Sequence, residues 1–142
     1  MRERGARFAR IAVQHDYTGE YVLFRDQDVT GFLDIKDPRH PRYQPGRDED
    51  GPVASPRVRA HILVVPNQPR ETIGRTLASD ITAEDLEATL RVMRAATELS
   101  TRLGITNARI FVKSPARIGV GYLHIHIVGE RNPNVPYPPA LR

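Results

Sequence analysis

Residues 120–131 read VGYLHIHIVGER and place two histidines two positions apart in an otherwise apolar run. Side chains alternate between the two faces of a β-strand, so the strand predicted over 121–128 has one polar and one apolar face. The polar face would carry Tyr122, His124, His126 and Val128. The apolar face, which we expect to pack into a hydrophobic core, would carry Leu123, Ile125 and Ile127.

The composition of the chain excludes several classes of protein. Its 142 residues are enough for one domain with a hydrophobic core. There is no cysteine, which excludes a disulfide framework, a thiol nucleophile and a thiolate metal site. No apolar run is long enough to span a membrane. The basic start, MRERGARFAR, leads into an alternating segment rather than the apolar core of a signal peptide. We therefore expect a cytoplasmic protein with no membrane partner.

The net charge of +4 comes mostly from arginine, with Lys36 and Lys113 the only lysines. Aromatic residues do not interleave with the arginines and no nucleic-acid-binding motif is present, so a nucleic-acid partner is not expected. The planar guanidinium of arginine suits phosphate, which leaves a small phosphorylated ligand open.

Periodicity predicts further strands and one long helix. The strands are at 9–14, 20–25, 28–35, 58–66 and 107–113. The helix within 81–104 would begin after Thr82, a good N-cap with Asp85 three residues on, and would end at Gly104. Its predicted apolar stripe consists of Leu86, Leu90, Met93, Ala96 and Leu103. A short helical turn is predicted within 69–80.

Two proline-rich segments are predicted to lack regular secondary structure. Residues 36–57 combine proline, glycine and opposite charges and cannot bury enough apolar area to fold alone, so we interpret them as a flexible insertion. The tail at 130–142 is expected to be extended. Strands, then a helix, then strands indicate a single α+β domain over 1–142, an antiparallel sheet with the one long helix packed on it.

The residue types and spacing of His124 and His126 admit three interpretations. They could be ordinary histidines on a half-exposed strand. They could be metal ligands, since His-x-His on a strand is a common ligand geometry, and the third ligand would then be His61 or an acid. They could also be catalytic, with one imidazole as nucleophile and the other for proton transfer.

Three segments, taken in order, discriminate between these interpretations. FLDI is at 32–35, AHILVVP at 60–66 precedes the long helix, and the run at 122–128 has the form Tyr-φ-His-φ-His-φ-φ, where φ is apolar. This ordered set resembles the histidine-triad family of nucleotide hydrolases and transferases over roughly residues 9–131. The resemblance implies that family's fold, a homodimer, a nucleotide substrate, and no cofactor or metal.

Position by position, the resemblance implies roles for the polar side chains. His124 corresponds to the family's nucleophile and His126 to the histidine that assists at the phosphate and the leaving group. His61 corresponds to a supporting histidine. In the ribose-binding segment, Asp34 corresponds to the carboxylate that accepts the ribose hydroxyls, beside Ile35. The phosphate-contacting segment corresponds to 113–121, where the candidates are Lys113, Ser114, Arg117, Gly119 and Gly121.

The chain departs from the family's pattern at Tyr122, which stands where the first histidine belongs. Tyrosine has an unperturbed pKa near 10, so its hydroxyl can donate a hydrogen bond but is not expected to shuttle protons at neutral pH. An alternative alignment makes His124 the first histidine and leaves Val128 as the third. We prefer the first alignment because HIVGER ends as the family's motif ends. The insertion at 36–57 is a second departure, since it is longer than the family usually carries.

The resemblance implies hydrolysis or transfer of a nucleoside monophosphate group from a phosphoanhydride or phosphoramidate. The reaction would pass through a covalent nucleotide on His124, and hydrolysis is favoured over transfer. Two alternatives stay open. One is a nucleotide-binding protein with little turnover, because Tyr122 breaks the triad. The other is a metal-dependent hydrolase that uses His61, His124 and His126.

Overall fold

The computed structural model describes residues 2–44, 58–73, 77–112 and 121–142. In chain order the elements are helix α1 (Arg2–Ala12), strands β1 (Val22–Arg25), β2 (Val29–Leu33) and β3 (Arg59–Pro66), a 3₁₀ turn (Ala78–Asp80), helix α2 (Ala83–Arg102), and strands β4 (Thr106–Phe111) and β5 (Ile125–Glu130). No helix within these ranges is both long enough and apolar enough to cross a membrane.

The five strands form one antiparallel sheet in the order β1-β2-β3-β5-β4. The predicted α+β fold with an antiparallel sheet is therefore confirmed. β3 and β5 lie side by side in the interior of the sheet, with Leu63 opposite His126, and β4 forms one edge. Four of the strand predictions are confirmed, those at 20–25, 28–35, 58–66 and 107–113.

The histidine strand begins later than predicted. β5 starts at Ile125, and the residues before it pair with the segment that precedes the 3₁₀ turn. The amide of Leu123 donates to the carbonyl of Arg70, and the amide of Thr72 donates to the carbonyl of Gly121, each at 2.7 Å. The predicted apolar face is nevertheless confirmed, because the side chains of this face are fully buried: Leu123, Ile125 and Ile127.

Helix α2 begins and ends as its capping residues predict. The Thr82 side chain accepts the amide of Asp85 while the Asp85 carboxylate accepts the amide of Thr82, which satisfies two otherwise unpaired amides. Gly104 follows the helix with a φ of +68°, a left-handed conformation that costs glycine little. The 3₁₀ turn ahead of the helix agrees with the helical turn predicted within 69–80.

The predicted apolar stripe of α2 is wrong for three of its five residues. Ala96 and Leu103 are buried, but Leu86, Leu90 and Met93 are exposed. The side chains buried beneath the helix are Thr89, Val92, Ala96, Leu99, Ser100 and Leu103. This row lies about 100° around the helix axis from the row of exposed side chains. It includes several small side chains, which allow the helix to approach the sheet closely.

The prediction of a strand at 9–14 is wrong, because helix α1 extends to Ala12. Phe8, Ile11 and Ala12 follow the helical spacing i, i+3, i+4 and are all buried. Val13, which continues the apparent alternation, is exposed. Packing against the sheet stabilises this helical row, which contacts Val22, Phe32, Leu63 and Val65.

The two helices cover opposite faces of the sheet. The cluster with α2 includes alternate side chains of the two central strands: Ala60, Ile62, Val64, Ile125 and Ile127. The cluster with α1 includes Leu63 and Val65. Because side chains alternate along a strand, His61 and His126 lie on the α1 face. α1 contacts β2 and β3, so the histidine of β5 lies beside this helix rather than beneath it.

The predicted insertion begins with a segment that is packed against the domain. Residues 36–44 form turns in which Asp37 and His40 are buried. The rest of the insertion, 45–57, lies outside the described residues, so its flexibility stays a prediction.

The proline-rich tail has no regular secondary structure between 131 and 142, but it is packed on the domain. Tyr137 is buried, and the hydroxyl of Tyr21 donates to the carbonyl of Pro138 at 2.6 Å. Further on, the amide of Leu141 donates to the carbonyl of Val22. The tail therefore adds a layer across the start of β1.

Candidate active site

Three histidines that are distant in sequence converge on the α1 face of the sheet. His61 Nε2 and His126 Nδ1 are 3.0 Å apart, and the rings of His124 and His126 are 5.0 Å apart. The antiparallel pairing of β3 with β5 explains the first contact, because His61 is the diagonal neighbour of His126 across the two strands. The second contact follows from the two-residue period of the chain around β5.

The hydrogen bond of His124 determines which of its nitrogens can react. Its Nδ1 lies 2.7 Å from the carbonyl oxygen of Tyr122, and a carbonyl oxygen can only accept. Nδ1 therefore carries the proton, and in the neutral ring Nε2 keeps its lone pair. The side chain is half-buried against the ring of Phe8, with 5.2 Å between ring centroids. The arrangement leaves His124 suited to act as a nucleophile through Nε2.

His126 is more deeply enclosed than His124. It is 3% exposed, and the ring of Phe111 stacks on it at 5.2 Å with an angle of 9° between the planes. Of the facing nitrogens of His126 and His61, one donates and the other accepts, which orients both rings. A metal ion bound at these two nitrogens would have to replace that hydrogen bond. No group of three or more potential ligand side chains in the described part of the chain is arranged to hold a metal.

Tyr122 directs its hydroxyl toward the sheet. The hydroxyl donates to the carbonyl of Pro66, at the end of β3, at 2.8 Å. Burial raises the pKa of Tyr122 to about 12, although the charge of Arg25 opposes this effect. The hydroxyl therefore stays protonated at neutral pH, and it anchors the segment that carries His124.

Asp34 lies directly after β2, next to the histidines. Its amide donates to the carbonyl of His61 at 3.0 Å, and its Oδ1 accepts the amide of Lys36 at 2.9 Å. Burial would raise the pKa of Asp34, but the charge of His61, the amide and charge of Lys36 and the charge of Arg7 together lower it. Asp34 is thus a carboxylate at neutral pH, with only acceptor oxygens. Ile35 follows it and is half-buried.

The candidate phosphate-contacting residues are mostly outside the described part of the chain. This applies to four residues of the 113–120 segment, which are Lys113, Ser114, Arg117 and Gly119. Gly121 is described, and its carbonyl accepts the amide of Thr72.

Helix α1 contributes residues that the sequence analysis missed. Phe8 contacts the rings of His124, Tyr122 and Phe32, with centroid distances of 5.2, 6.1 and 5.7 Å. The guanidinium of Arg7 lies 5.4 Å from the centre of the Phe32 ring. The helical spacing of Phe8, Ile11 and Ala12 was the signal that could have placed this helix here.

A buried carboxylate, Glu20, connects α1 to the 36–44 turns. It accepts two hydrogen bonds from Arg7 at 2.8 Å each and one from Arg42 at 2.9 Å. His40 Nε2 also lies 2.9 Å from the Glu20 carboxylate. His40 Nδ1 accepts the amide of Arg42, so Nε2 is the donor toward Glu20. Burial alone would raise the pKa of Glu20, but the hydrogen bonds from His40 and Arg7 and the charges of both lower it to about 2.

Solved structures of histidine-triad proteins share this fold. A HIT family hydrolase from Legionella pneumophila Philadelphia 1 superposes with a TM-score of 0.58 at 22% identity, covering 88% of this chain and 92% of that one. A HIT family hydrolase from Clostridium thermocellum gives a TM-score of 0.57 at 19% identity, covering 86% and 87%. A histidine triad protein from Clostridium difficile gives 0.56 at 22% identity, covering 91% and 94%. No protein-family model and no curated protein matches the sequence. The resemblance inferred from the sequence is thereby confirmed at the level of the fold.

Proposed function

We propose that this protein is a nucleotide hydrolase or transferase of the histidine-triad type, with hydrolysis the favoured reaction. It would act on a nucleoside monophosphate group in a phosphoanhydride or phosphoramidate. The observation that carries the proposal is the 2.7 Å hydrogen bond from His124 Nδ1 to the carbonyl of Tyr122. This bond leaves the lone pair of the neutral ring on Nε2, which a nucleophile requires.

In the proposed first step, the lone pair of His124 Nε2 forms a bond to phosphorus while the bond from phosphorus to the leaving group breaks. The leaving group departs with that electron pair and takes up a proton from the solvent. The imidazole ring becomes positively charged, and the Tyr122 carbonyl stabilises this charge through Nδ1–H. Water then attacks phosphorus and loses a proton to the solvent, while the bond from phosphorus to Nε2 breaks and its electron pair returns to the ring, which releases the nucleoside monophosphate and neutral His124.

His126 is proposed to contact the same phosphoryl group and assist the leaving group. The 5.0 Å between the rings of His124 and His126 allows one phosphate to meet both. His61 would orient His126 through the bond between their nitrogens. This assignment favours the alignment with His124 in the middle position. In the other alignment the nucleophile would be His126, but its Nδ1 faces His61 Nε2 at 3.0 Å, whereas His124 Nδ1 bonds a carbonyl oxygen.

Asp34 is proposed to accept the two ribose hydroxyls, with Ile35 beside the bound nucleotide. The lowered pKa of Asp34 supports this role, because the ionised carboxylate can accept both hydroxyl protons. Residues 113–121 are proposed to contact the phosphate.

A nucleotide-binding protein with little turnover is the second candidate. The engagement of the Tyr122 hydroxyl with Pro66 favours it, because this position then supplies no group to the phosphate. Measured turnover and a covalent intermediate separate the two candidates.

The decisive experiment is rapid-quench mass spectrometry with a nucleoside phosphoramidate. A phosphoramidate on histidine is labile in acid and survives mild alkali, so the adduct should show that pattern. His124→Ala should abolish the adduct, whereas His15→Ala, at an exposed histidine after α1, should retain it. A chelator should leave the wild-type rate unchanged. Turnover that persists in His124→Ala, or that is lost on chelation, would contradict the proposed nucleophile.

We also propose that the chain forms a homodimer. β4 is an edge strand, and α2, which contacts it, exposes Leu86, Leu90 and Met93 on its outer side. Edge strands and apolar stripes of this kind are commonly covered by a partner. Leu90→Glu should convert a dimer to a monomer in analytical ultracentrifugation, while Glu87→Gln, at an exposed position of the same helix, should not. A wild-type monomer at micromolar concentration would refute the dimer.

A further inference from the structure

One buried carboxylate, that of Asp37, joins three separate segments beside the candidate site. Its Oδ2 accepts the hydroxyl of Tyr137 from the tail and the amide of His61 from β3, each at 2.9 Å. Its Oδ1 accepts the amide of Arg39 at 2.9 Å, and its own amide donates to the carbonyl of Asp34. Asp37 has no exposed surface and Tyr137 is 7% exposed.

We propose that Tyr137 and Asp37 are positioning residues, through which the C-terminal tail holds Asp34 and His61 in their reactive arrangement. This proposal rests on the function proposed above. Asp37 bonds the backbone amide of His61 and Tyr137 bonds Asp37, so both would act through the backbone.

The path from the tail to the histidines consists of consecutive hydrogen bonds. Tyr137 holds Asp37, and Asp37 holds the amide of His61, whose ring in turn contacts His126. The same carboxylate organises the turn that follows Asp34, and the amide of Asp34 is bonded to the carbonyl of His61. A displacement of Asp37 would therefore move the ribose-binding carboxylate and the histidine pair together.

The pKa of Asp37 is raised by burial, and the groups around it limit that rise. Burial raises the pKa of Asp37, and the amides of His61 and Arg39, the Tyr137 hydroxyl and the charge of Arg131 oppose that rise. The Arg131 guanidinium also lies over the Tyr137 ring at 5.8 Å, and Tyr21 packs against that ring at 6.3 Å. Removal of the Tyr137 hydroxyl should raise the pKa of Asp37 further, because one hydrogen bond to the carboxylate is lost.

The test compares Tyr137→Phe with Tyr21→Phe in the full chain. Both variants remove a hydroxyl that forms a hydrogen bond between the tail and the rest of the domain. The Tyr137 hydroxyl bonds to Asp37, whereas the Tyr21 hydroxyl bonds to the Pro138 carbonyl. The His61 amide reports the charge of Asp37, so its NMR shift is followed as a function of pH without substrate. Tyr137→Phe should raise the midpoint by about half to one pH unit. Tyr21→Phe should leave it unchanged.

The kinetic arm uses a nucleoside phosphoramidate at several pH values. Tyr137→Phe should lower kcat by about three- to tenfold, with a loss that deepens as the pH falls. Tyr21→Phe should stay within about twofold of the wild type. An unchanged His61 midpoint in Tyr137→Phe, or identical behaviour of the two variants, would overturn the proposal and leave the tail a purely structural element.

A second variant keeps the test valid if Tyr137→Phe does not fold. Asp37→Asn retains an acceptor oxygen but cannot titrate, so the component of the His61 amide response that titrates with this carboxylate should disappear, while the component from the imidazole rings should remain. Persistence of the carboxylate component at the wild-type midpoint would contradict the assignment. The NMR arm needs no turnover, so it decides the positioning bonds even if the wild type forms no adduct on His124, a result that would refute the proposed function alone.

Discussion

The two faces of the sheet are built from the same strands but are held by different interactions. On the α2 face, β3 and β5 contribute only hydrocarbon, including Ile62 and Ile127, against the buried row of the helix. On the α1 face, the same strands contribute His61 and His126, and α1 is fastened by the charged cluster around Glu20. The α2 face thus gains stability through apolar burial, while the α1 face combines a smaller apolar cluster with polar groups whose burial costs stability.

The largest expected difference between the faces is between neighbouring residues of one segment. His124→Ala should lower turnover by on the order of 10³-fold or more, because the proposed nucleophile is lost, with little change in stability. Ile125→Ala should cost about 2–5 kcal/mol of unfolding free energy, because it leaves a cavity in the α2 core. Single-turnover kinetics and urea unfolding of both variants measure the two effects. If His124→Ala loses as much stability as Ile125→Ala, the proposed division between the faces is wrong.

A smaller effect is expected for ribose recognition on the α1 face. Asp34→Ala should weaken ribonucleotide binding by about ten- to a hundredfold, since charged hydrogen bonds to hydroxyls are lost. Deoxyribonucleotides should lose much less. Isothermal titration with both sugars measures this, with Asp28→Ala, at an exposed carboxylate before β2, as the control. Equal losses for the two sugars would remove Asp34 from the site.

Acid should weaken the attachment of α1 before that of α2. The pKa of Glu20 is lowered from 4.5 to about 2, so its stabilising contribution is complete above about pH 4.5 and is lost as the pH falls toward 2. Hydrogen exchange at pH 3 should show lost protection in α1 while α2 stays protected. Glu20→Gln should remove this pH dependence, and Glu87→Gln should keep it. Equal loss of protection in both helices would show that the charged cluster does not hold α1.

The smallest effect is expected at Tyr122. Tyr122→Phe removes the bond to the Pro66 carbonyl and should cost about 1 kcal/mol of stability. Turnover should change by less than about threefold, because the hydroxyl is bonded to the Pro66 carbonyl. Thermal unfolding and steady-state kinetics check both. A folded Tyr122→Phe variant without turnover would place the hydroxyl in the chemistry.

Much of the fold was predictable because it depends on local patterns. The alternation around β5 predicted which side chains enter the core, and the Thr82–Asp85 pair predicted the start of α2. The failures occurred where two periodicities competed. Residues 9–14 alternate like a strand, yet Phe8 and Ile11 pack as part of a helix. In α2, two apolar rows fit the helical period, and only the sheet decides which of them is buried.

Local sequence patterns were sufficient to predict the order and type of most elements and the presence of two imidazoles on one face of a strand. These properties follow from neighbouring residues, whose spacing is fixed by backbone geometry. Three contacts become visible only in the folded chain. They are the hydrogen bond between His61 Nε2 and His126 Nδ1, the packing of Phe8 on His124, and the hydrogen bond from Tyr137 to Asp37. The last pair is 100 residues apart along the chain. Contacts over such separations depend on strand order and on the packing of whole elements, which no local pattern encodes.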